Sequence, residues 1–197
     1  MQLTTEFVLA SESPRRRQLL TQIGLPFKVA PSGIDEVLPL ESHPSAAVQT
    51  VALDKARAVG IRFPDALTLG ADTVVVHEGR ILGKPRDPDD ARSMLRRLSG
   101  DTHTVYTGLA LVHPCSGREA TVSEGTRVTF ASLGDPEIDA YVATGAPMDK
   151  AGAYGIQHDM GTLFVAGIEG DYFNVVGLPL RRLYVMLREK FADLIVL

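Results

Sequence analysis

Tryptophan is absent from this chain, cysteine occurs once, and aromatic residues make up only 6% of the 197 positions. With Cys115 alone, the chain can form no disulfide within itself and no zinc site built from several thiolates. No apolar run approaches the roughly 20 residues of a membrane span, and the first basic residues follow a short apolar stretch, the reverse of a secretory signal. We therefore expect a cytoplasmic protein with no membrane partner.

A strong excess of charge of one sign is also missing, because the formal net charge is only −4. Proteins that coat nucleic acid normally carry a strongly basic face, so a nucleic-acid partner is not expected. The patterns G-x-G-x-x-G and G-x-x-x-x-G-K-[ST] are absent, which removes the commonest dinucleotide and P-loop classes. The histidines lack H-x-x-x-H spacing and no serine lies in a G-x-S-x-G motif. The chemistry is therefore expected from carboxylates, lysines and arginines.

What the chain does have is 45% hydrophobic residues, enough for one packed core, in alternating strand and helix patterns. We predict one domain over residues 1–197, an α/β fold in which helices flank a mixed central β-sheet. The predicted strands are 7–10, 27–30, 68–77 with a hairpin partner after Glu78-Gly79, 102–113, 121–131 and 162–168. The predicted helices begin at Ser13-Pro14, Pro44, Asp87-Pro88, Asp135-Pro136 and Pro179.

The segment S-E-S-P-R-R-R at positions 11 to 17 is the first candidate for an anion site. Ser13 is a favourable N-cap and Pro14 suits the first helical position, so backbone N–H groups of a helix start should lie beside serine hydroxyls. Arg15 and Arg16 lie in the first turn, where positive charge opposes the helix dipole unless an anion is nearby. On this pattern alone, an anion site and a solvated basic face are both open.

Asp72 interrupts the apolar strand pattern TLGADTVVV, and it needs a partner because burial of a lone carboxylate is costly. We expect a cation, a metal ion or water at a sheet edge, and a strand-end aspartate bonded to the backbone is the alternative. Lys55 shares a predicted helix face with valines. It either snorkels to the surface, which is the commoner behaviour, or reaches into a cleft.

Lys84 in GKP and Glu36 in GIDE would be ordinary loop residues without the other candidates. The segment DKAGAYGIQ at 149–157 has small residues that let backbone approach a ligand, with Tyr154 and Gln157 able to stack on and hydrogen-bond a base. A flexible surface loop explains its glycines equally well. The roles of Asp149 and Lys150 stay open, because they could pair with one another or line a pocket.

Together these motifs resemble, in order and spacing, the Maf family of nucleoside triphosphate pyrophosphatases. The resemblance covers nearly the whole chain and is carried by ASESPRRR, GIDE, the helix with DKA, GADT, GKPRD, LSG, DKAGAYGIQ and VVGLP. It implies a fold of the Maf and inosine triphosphate pyrophosphatase type, with two lobes and a cleft as one form that fold can take. It also implies a hydrolase of phosphoanhydride bonds, a homodimer, and Mg²⁺ or Mn²⁺ as cofactor.

The resemblance also points to one branch of the family. The branch that acts on 7-methyl-GTP has an aromatic residue after the serine-proline pair, a glutamine after the central aspartate, and a different segment in place of GAYGIQ. This sequence has Arg15, Thr73 and Gln157 at those places. It therefore resembles the branch that hydrolyses dTTP and UTP to the monophosphate and pyrophosphate, and these three residues are the expected specificity determinants.

By the same resemblance, Asp72 is the expected catalytic base and shares the metal ion with Glu36. The phosphates are expected at Ser13, Arg15, Arg16, Lys55 and Lys84, and the base edge at Thr73 and Gln157. Two alternatives remain, a binding or regulatory protein linked with inhibition of septum formation and a related pyrophosphatase that prefers a purine such as 7-methyl-GTP or inosine triphosphate. The physiological substrate is open as well.

Overall fold

The structure is a computed structural model, and it describes residues 2–35, 37–39, 42–157 and 159–196. The strands are β1 (Gln2–Leu3), β2 (Phe7–Leu9), β3 (Lys28–Val29), β4 (Leu67–His77), β5 (Arg80–Leu82), β6 (Thr102–His113), β7 (Arg118–Phe130), β8 (Val165–Glu169) and β9 (Ile195–Val196). The helices are α1 (Pro14–Gln22), α2 (Pro44–Gly60), α3 (Pro88–Leu98), α4 (Asp135–Ala143), α5 (Tyr172–Val176) and α6 (Leu180–Lys190).

The main sheet has the strand order β3-β2-β4-β6-β7-β8, and β5 pairs with β4 outside this path. Strand β2 is parallel to both β3 and β4, whereas β5 is antiparallel to β4 and β8 is antiparallel to β7. The short strands β1 and β9 form a separate antiparallel pair. The mixed sheet and the α/β class predicted from the sequence are confirmed.

The chain folds as two compact units. The first contains Met1–Asp72, Thr107–Glu124 and Gly177–Leu197, and the second contains Thr73–Tyr106 and Gly125–Val176. Strands β4, β6 and β7 each contribute residues to both units. A single domain over residues 1–197 stays a prediction.

In the first unit, helix α2 lies directly against the sheet. A Cβ atom at Gly70 on β4 would stand 2.0 Å from the Ala52 carbonyl oxygen, and one at Gly108 on β6 would stand 2.3 Å from the Val48 carbonyl oxygen. Only glycine permits such an approach of strand to helix backbone. The helix buries a face of small and branched residues against these strands.

In the second unit, aromatic rings pack edge to face within the core. Phe130 meets both His103 and Tyr154, with ring centroids 5.0 and 4.8 Å apart, and Tyr141 meets Phe164 at 5.2 Å. Edge-to-face pairs add specific geometry to the apolar area that the rings bury. This core supports the segment between α4 and β8.

Most predicted helices and strands are confirmed, with the exceptions that follow. The strand predicted at 162–168 is wrong at its start, since residues 160–164 form a 3₁₀ turn and β8 begins at Val165. The Asp159 side chain accepts a hydrogen bond from the Gly161 backbone N–H and so starts that turn. Helix α5 and the β1–β9 pair were not predicted. Among the described residues, no helix combines the length and hydrophobicity that crossing a membrane requires.

Candidate active site

Helix α1 begins as its sequence predicts, with serine hydroxyls at its first turn. Ser13 is the N-cap residue, and its hydroxyl accepts from the Arg16 backbone N–H at 3.5 Å, while Pro14 takes the first helical position. The Ser11 hydroxyl accepts from the Ser13 backbone N–H at 3.2 Å. The two hydroxyls therefore lie at the positive end of the helix dipole, where anions bind favourably.

The buried Arg16 side chain fastens this turn to the chain that precedes α6. Its Nε donates to the Gly177 carbonyl at 2.9 Å, and its Nη1 donates to the Ser11 hydroxyl at 3.1 Å. These two nitrogens of the guanidinium therefore have a structural role, because they connect the turn before α1 with the backbone before α6. Phosphate binding by Ser13, Arg16 and the half-buried Arg15 stays a prediction.

Lys55 and Asp72 form a buried ion pair in the first unit. Lys55 Nζ donates to Asp72 Oδ1 at 2.8 Å, and the two residues are 4% and 6% exposed. Of the partners expected for Asp72, namely a cation, a metal ion or water, the structure shows a cation, the Lys55 ammonium. Snorkelling of Lys55, the commoner behaviour of a lysine on an apolar face, is wrong here because the side chain turns inward to the carboxylate. A charge-assisted hydrogen bond of this kind fixes the orientation of the carboxylate.

The close contact at Gly70 explains how this pair forms. Besides Ala52, a Cβ atom at Gly70 would meet the Ala56 backbone nitrogen at 2.9 Å, so residues 52–56 of α2 pass directly over this position. Alternate residues of a strand face the same side, so Asp72 faces the helix that Gly70 contacts. Lys55 is therefore placed within reach of Asp72.

The same edge of the sheet carries the serine-rich turn. Strand β2 runs parallel to β4 with Leu9 opposite Leu69, and the Ala10 backbone N–H donates to the Leu69 carbonyl at 2.8 Å. Segment 11–16 follows the carboxyl end of β2, and Asp72 follows Leu69 along β4. Open α/β sheets bind ligands outside the carboxyl ends of parallel strands. The first unit thus contains a serine-rich helix start after β2 and a buried carboxylate on the neighbouring strand β4.

The remaining predicted site residues belong to the second unit or fall outside the described residues. Thr73 is half-buried in β4, Lys84 is exposed in the loop after β5, and Gln157 is half-buried in the segment before β8. Glu36, the second predicted metal ligand, lies outside the described residues. The functional roles of all four residues stay predictions.

Tyr154, expected to stack on a base, lies in the core of the second unit. It is 5% exposed, its ring packs on Phe130, and its hydroxyl lies 2.7 Å from His103 Nε2. Burial raises the pKa of Tyr154 and lowers the pKa of His103 to about 4, because both charged forms would lose water. Tyr154 therefore anchors its segment in the core, and its ring is not available for stacking on a base.

A polar cluster around the segment 149–161 was not predicted from the sequence. Tyr141 on α4 contacts Asp159, and Lys150 Nζ lies 2.9 Å from Asp149 Oδ1 and 3.4 Å from Asp159 Oδ2. Asp149 and Lys150 were expected either to pair with one another or to line a pocket, and the structure shows that they pair. Tyr141 gave no signal in the sequence, because it occupies an apolar position of a short helix, whereas Asp159 before Met-Gly could have been recognised as a turn cap.

The donor chemistry of the first unit fits a hard divalent cation. Carboxylate oxygen is the protein ligand that Mg²⁺ and Mn²⁺ prefer, and Mg²⁺ sites commonly use one or two carboxylates together with water and substrate phosphates. Within the described residues, no group of three or more His, Cys, Asp or Glu side chains could hold a metal by itself. Asp72, a buried carboxylate on the strand that pairs with β2, has the ligand chemistry for this role.

Fold and site together define an α/β protein with a buried Lys55–Asp72 pair between α2 and β4 and a serine-capped helix start after the neighbouring strand β2. The family model described as "Maf-like protein" matches residues 6–190. The chain belongs to this family. It is 55% identical over 195 residues to a dTTP/UTP pyrophosphatase of Salinibacter ruber, which covers 99% of this chain and 96% of the relative.

Two further relatives carry the same name. One from Moorella thermoacetica is 60% identical over 176 residues, covering 89% of this chain and 90% of the relative, and one from Bacillus cereus is 48% identical, covering 95% and 97%. The solved structure of a HAM1 protein from Coxiella burnetii gives a TM-score of 0.46 at 16% identity, covering 66% of this chain and 75% of that one. A likeness of that size carries no conclusion about function.

Proposed function

We propose that this protein hydrolyses dTTP and UTP to the nucleoside monophosphate and pyrophosphate. The observation that carries the proposal is the buried Lys55–Asp72 pair at 2.8 Å, in a chain 48–60% identical to relatives named for this activity. A buried ion pair is a weak device for stability, because removing two charges from water offsets most of their attraction. The place of Asp72 on β4, next to the strand that leads into the serine-capped start of α1, favours a chemical role.

The phosphate chain is assigned to the start of α1 and to the basic residues predicted for it. Breaking the bond between the α-phosphorus and its bridging oxygen leaves extra negative charge on the departing pyrophosphate. Backbone N–H groups and the hydroxyls of Ser11 and Ser13 can donate to phosphate oxygens, and Arg15, Lys55 and Lys84 supply positive charge. Arg16 acts with them while it orders the turn.

Asp72 is assigned the role of general base. A water molecule attacks the α-phosphorus, its proton passes to the Asp72 carboxylate, and pyrophosphate leaves with the electron pair of the broken bond. Lys55 holds one carboxylate oxygen in place, so the orientation of the base does not have to be established during the reaction. When Mg²⁺ or Mn²⁺ is bound by Asp72, with Glu36 as the second proposed ligand, it supplies charge neutralisation and a more acidic water.

Gln157 and Thr73 are assigned the recognition of the base. Gln157 Oε1 is enclosed and has no hydrogen-bond partner among the described residues. A buried acceptor without a donor is costly, and the N3–H group of uracil or thymine would satisfy it while the amide N–H₂ donates to O4. Cytosine presents the reverse pattern at these two atoms, so CTP is expected to be rejected.

The test is a substrate profile with each common nucleoside triphosphate and Mg²⁺ or Mn²⁺, with pyrophosphate and orthophosphate separated. We expect pyrophosphate from dTTP and UTP, and Asp72→Asn to lower kcat at least about 10²-fold. Asp54→Asn, at an exposed position of α2, is the matched control and should keep the wild-type rate. Pyrophosphate mainly from a purine nucleotide would overturn the base assignment, and no turnover would overturn the enzymatic proposal in favour of a regulatory protein.

A chelator tests the proposed metal ion. We expect EDTA to abolish turnover and excess Mg²⁺ or Mn²⁺ to restore it. Full turnover in EDTA would contradict the metal assignment.

We further propose that the protein works as a homodimer in the reducing cytoplasm. Two-fold assemblies are the commonest oligomers, and a single cysteine is compatible with a reducing compartment. Sedimentation at micromolar concentration tests the assembly, and a monomer there would contradict it.

A further inference from the structure

We propose that Tyr141 is a positioning residue for base selection, because its hydroxyl holds the chain on both sides of Gln157. This inference rests on the proposed function, since it concerns how Gln157 reads the base. Tyr141 lies on α4, contacts none of the assigned reacting groups in any described interaction, and would act only through the segment that carries Gln157.

The Tyr141 hydroxyl bridges two points of that segment. It accepts a hydrogen bond from the Gly155 backbone N–H at 3.2 Å and donates to Asp159 Oδ1 at 3.2 Å. Gly155 lies two residues before Gln157, and Asp159 lies two residues after it. One hydroxyl therefore fixes both ends of a five-residue stretch, with Gln157 at its centre.

Ionic contacts extend the bridge on the Asp159 side. Asp159 Oδ1 also accepts from the Gly161 backbone N–H at 2.9 Å, and Oδ2 lies 3.4 Å from Lys150 Nζ. The Lys150 ammonium further donates to the Ala146 carbonyl and to Asp149 Oδ1. Each carboxylate oxygen of Asp159 thus has a donor. Lys150 contacts both Asp149 and Asp159 and so connects the two ends of this segment.

Other atoms pack closely around the bridge. A Cβ atom at Gly155 would stand 2.7 Å from Lys150 Cε, and one at Gly161 would stand 2.9 Å from both the Tyr141 hydroxyl and Asp159 Oδ1. Close packing requires a glycine at 161, because a Cβ atom there would also stand 2.7 Å from the Gly155 carbonyl oxygen. A surface loop that merely needs flexibility would not pack its glycines in this way.

The chemistry of Tyr141 suits a permanent donor. The ring is fully buried against Phe164, and burial together with the nearby Asp159 carboxylate raises the pKa of the phenol above its ordinary value. The hydroxyl therefore stays protonated wherever the enzyme would work, and the bridge does not depend on pH in that range.

Tyr141→Phe removes the bridging oxygen and keeps the ring. We expect the KM for UTP to rise so that kcat/KM falls about tenfold, as for the loss of one or two hydrogen bonds, with kcat within about threefold of wild type. The kcat/KM for CTP should change little, so the preference for UTP over CTP decreases. Tyr172→Phe makes the same change at an exposed tyrosine of the same unit and should leave both values unchanged.

A double-mutant cycle with Gln157→Ala distinguishes positioning from general loosening. If Tyr141 acts through Gln157, Tyr141→Phe causes no further loss of UTP preference once Gln157 has been removed. Additive losses would overturn the proposal. If Gln157→Ala lowers the preference and Tyr141→Phe does not, the proposal fails while the proposed function stands.

Amide hydrogen exchange gives a readout that does not need activity. The Gly155 N–H is donated to the Tyr141 hydroxyl, so Tyr141→Phe should speed exchange of the Gly155 amide about tenfold or more, while amides in α3 keep wild-type rates. Unchanged exchange at Gly155 would overturn the proposal. If the wild type releases no pyrophosphate from UTP but Gly155 exchange rises, the anchoring is supported and the failure lies in the proposed function.

Discussion

The Lys55–Asp72 pair shows how the surroundings of one residue determine the effect of its removal. Lys55→Met keeps most of the side-chain stem but takes the ammonium group from a carboxylate that is 6% exposed. We expect the free energy of unfolding to fall by about 3 kcal/mol, because a buried charge loses its partner. Urea unfolding measures the change.

Arg57→Met is the matched control, two residues further along α2. Arg57 pairs with Glu119 at 2.6 Å, but its side chain is 52% exposed, so the loss should stay below about 1 kcal/mol. The double variant Lys55→Met with Asp72→Asn should recover much of the lost stability, since no uncompensated charge remains. Equal effects of Lys55→Met and Arg57→Met would contradict the buried-pair account.

His103 predicts how stability depends on acid. Its pKa is lowered from 6.5 to about 4, with burial as the largest cause, so the unfolded chain binds the proton more readily than the folded one. The stability contributed by neutral His103 is complete above about pH 6.5 and is lost as the pH falls towards 4. Between pH 7 and pH 5 this one group should cost about 2 kcal/mol.

His103→Gln tests this prediction, because glutamine does not titrate and can still hydrogen-bond the Tyr154 hydroxyl. Urea unfolding at pH 7 and pH 5 should show a smaller loss of stability in the variant than in the wild type. If both proteins lose the same free energy between these two pH values, His103 is not the buried neutral group described here.

At the scale of single residues, the sequence did not identify which side chains contact one another. Asp72 was expected to need a cation, but Lys55 is 17 residues away and nothing local identifies it as the partner. Tyr154 was expected at a base because tyrosine can stack, whereas tertiary packing placed its ring in the core. A local sequence pattern shows which residue types share one face of a strand or helix. Which side chains then contact each other depends on the tertiary packing of the chain.

At the scale of elements, the contact of α2 with β4 is what positions the ion pair. Gly70→Ala would place a methyl group 2.0 Å from the Ala52 carbonyl oxygen, so the helix must move away or the chain must fail to fold. We expect a loss of several kcal/mol, on the order of 3 or more, and a large drop in turnover. Circular dichroism during heating and the pyrophosphate assay measure the two effects.

Gly167→Ala is the control for that change. Gly167 lies in β8, and a Cβ atom there would meet nothing within 4 Å. Alanine should be neutral or slightly stabilising, by up to about 1 kcal/mol, because it reduces the freedom of the unfolded chain. A Gly70→Ala variant as stable as Gly167→Ala would show that α2 does not need this approach.

Elements with strong local signals could be predicted, and those formed by distant pairing could not. Helices α1, α2 and α3 begin at proline after a side-chain cap, and β4 and β6 contain the apolar segments 74–76 and 109–112. The β1–β9 pair joins the two ends of the chain in strands of two residues each, too short for any alternating pattern. The 3₁₀ turn at 160–164 was hidden because its residues are as apolar as a strand.

At the scale of the whole molecule, the chain folds as two compact units. The first contains the serine-rich turn at the start of α1 and the Lys55–Asp72 pair, and the second contains Gln157 with its Tyr141 bridge. The sequence predicted the α/β class and the candidate residues, but not this division, because strands β4, β6 and β7 each continue from one unit into the other without a linker. Composition therefore shows no boundary that a sequence pattern could detect.

The central claim is that water attacks the α-phosphorus of dTTP or UTP and that pyrophosphate leaves intact. Hydrolysis of UTP in ¹⁸O-enriched water, followed by mass spectrometry of the products, tests it most directly. The account predicts one ¹⁸O atom in UMP and none in pyrophosphate. Label in pyrophosphate or in orthophosphate would contradict it, because the attack would then fall on the β- or γ-phosphorus.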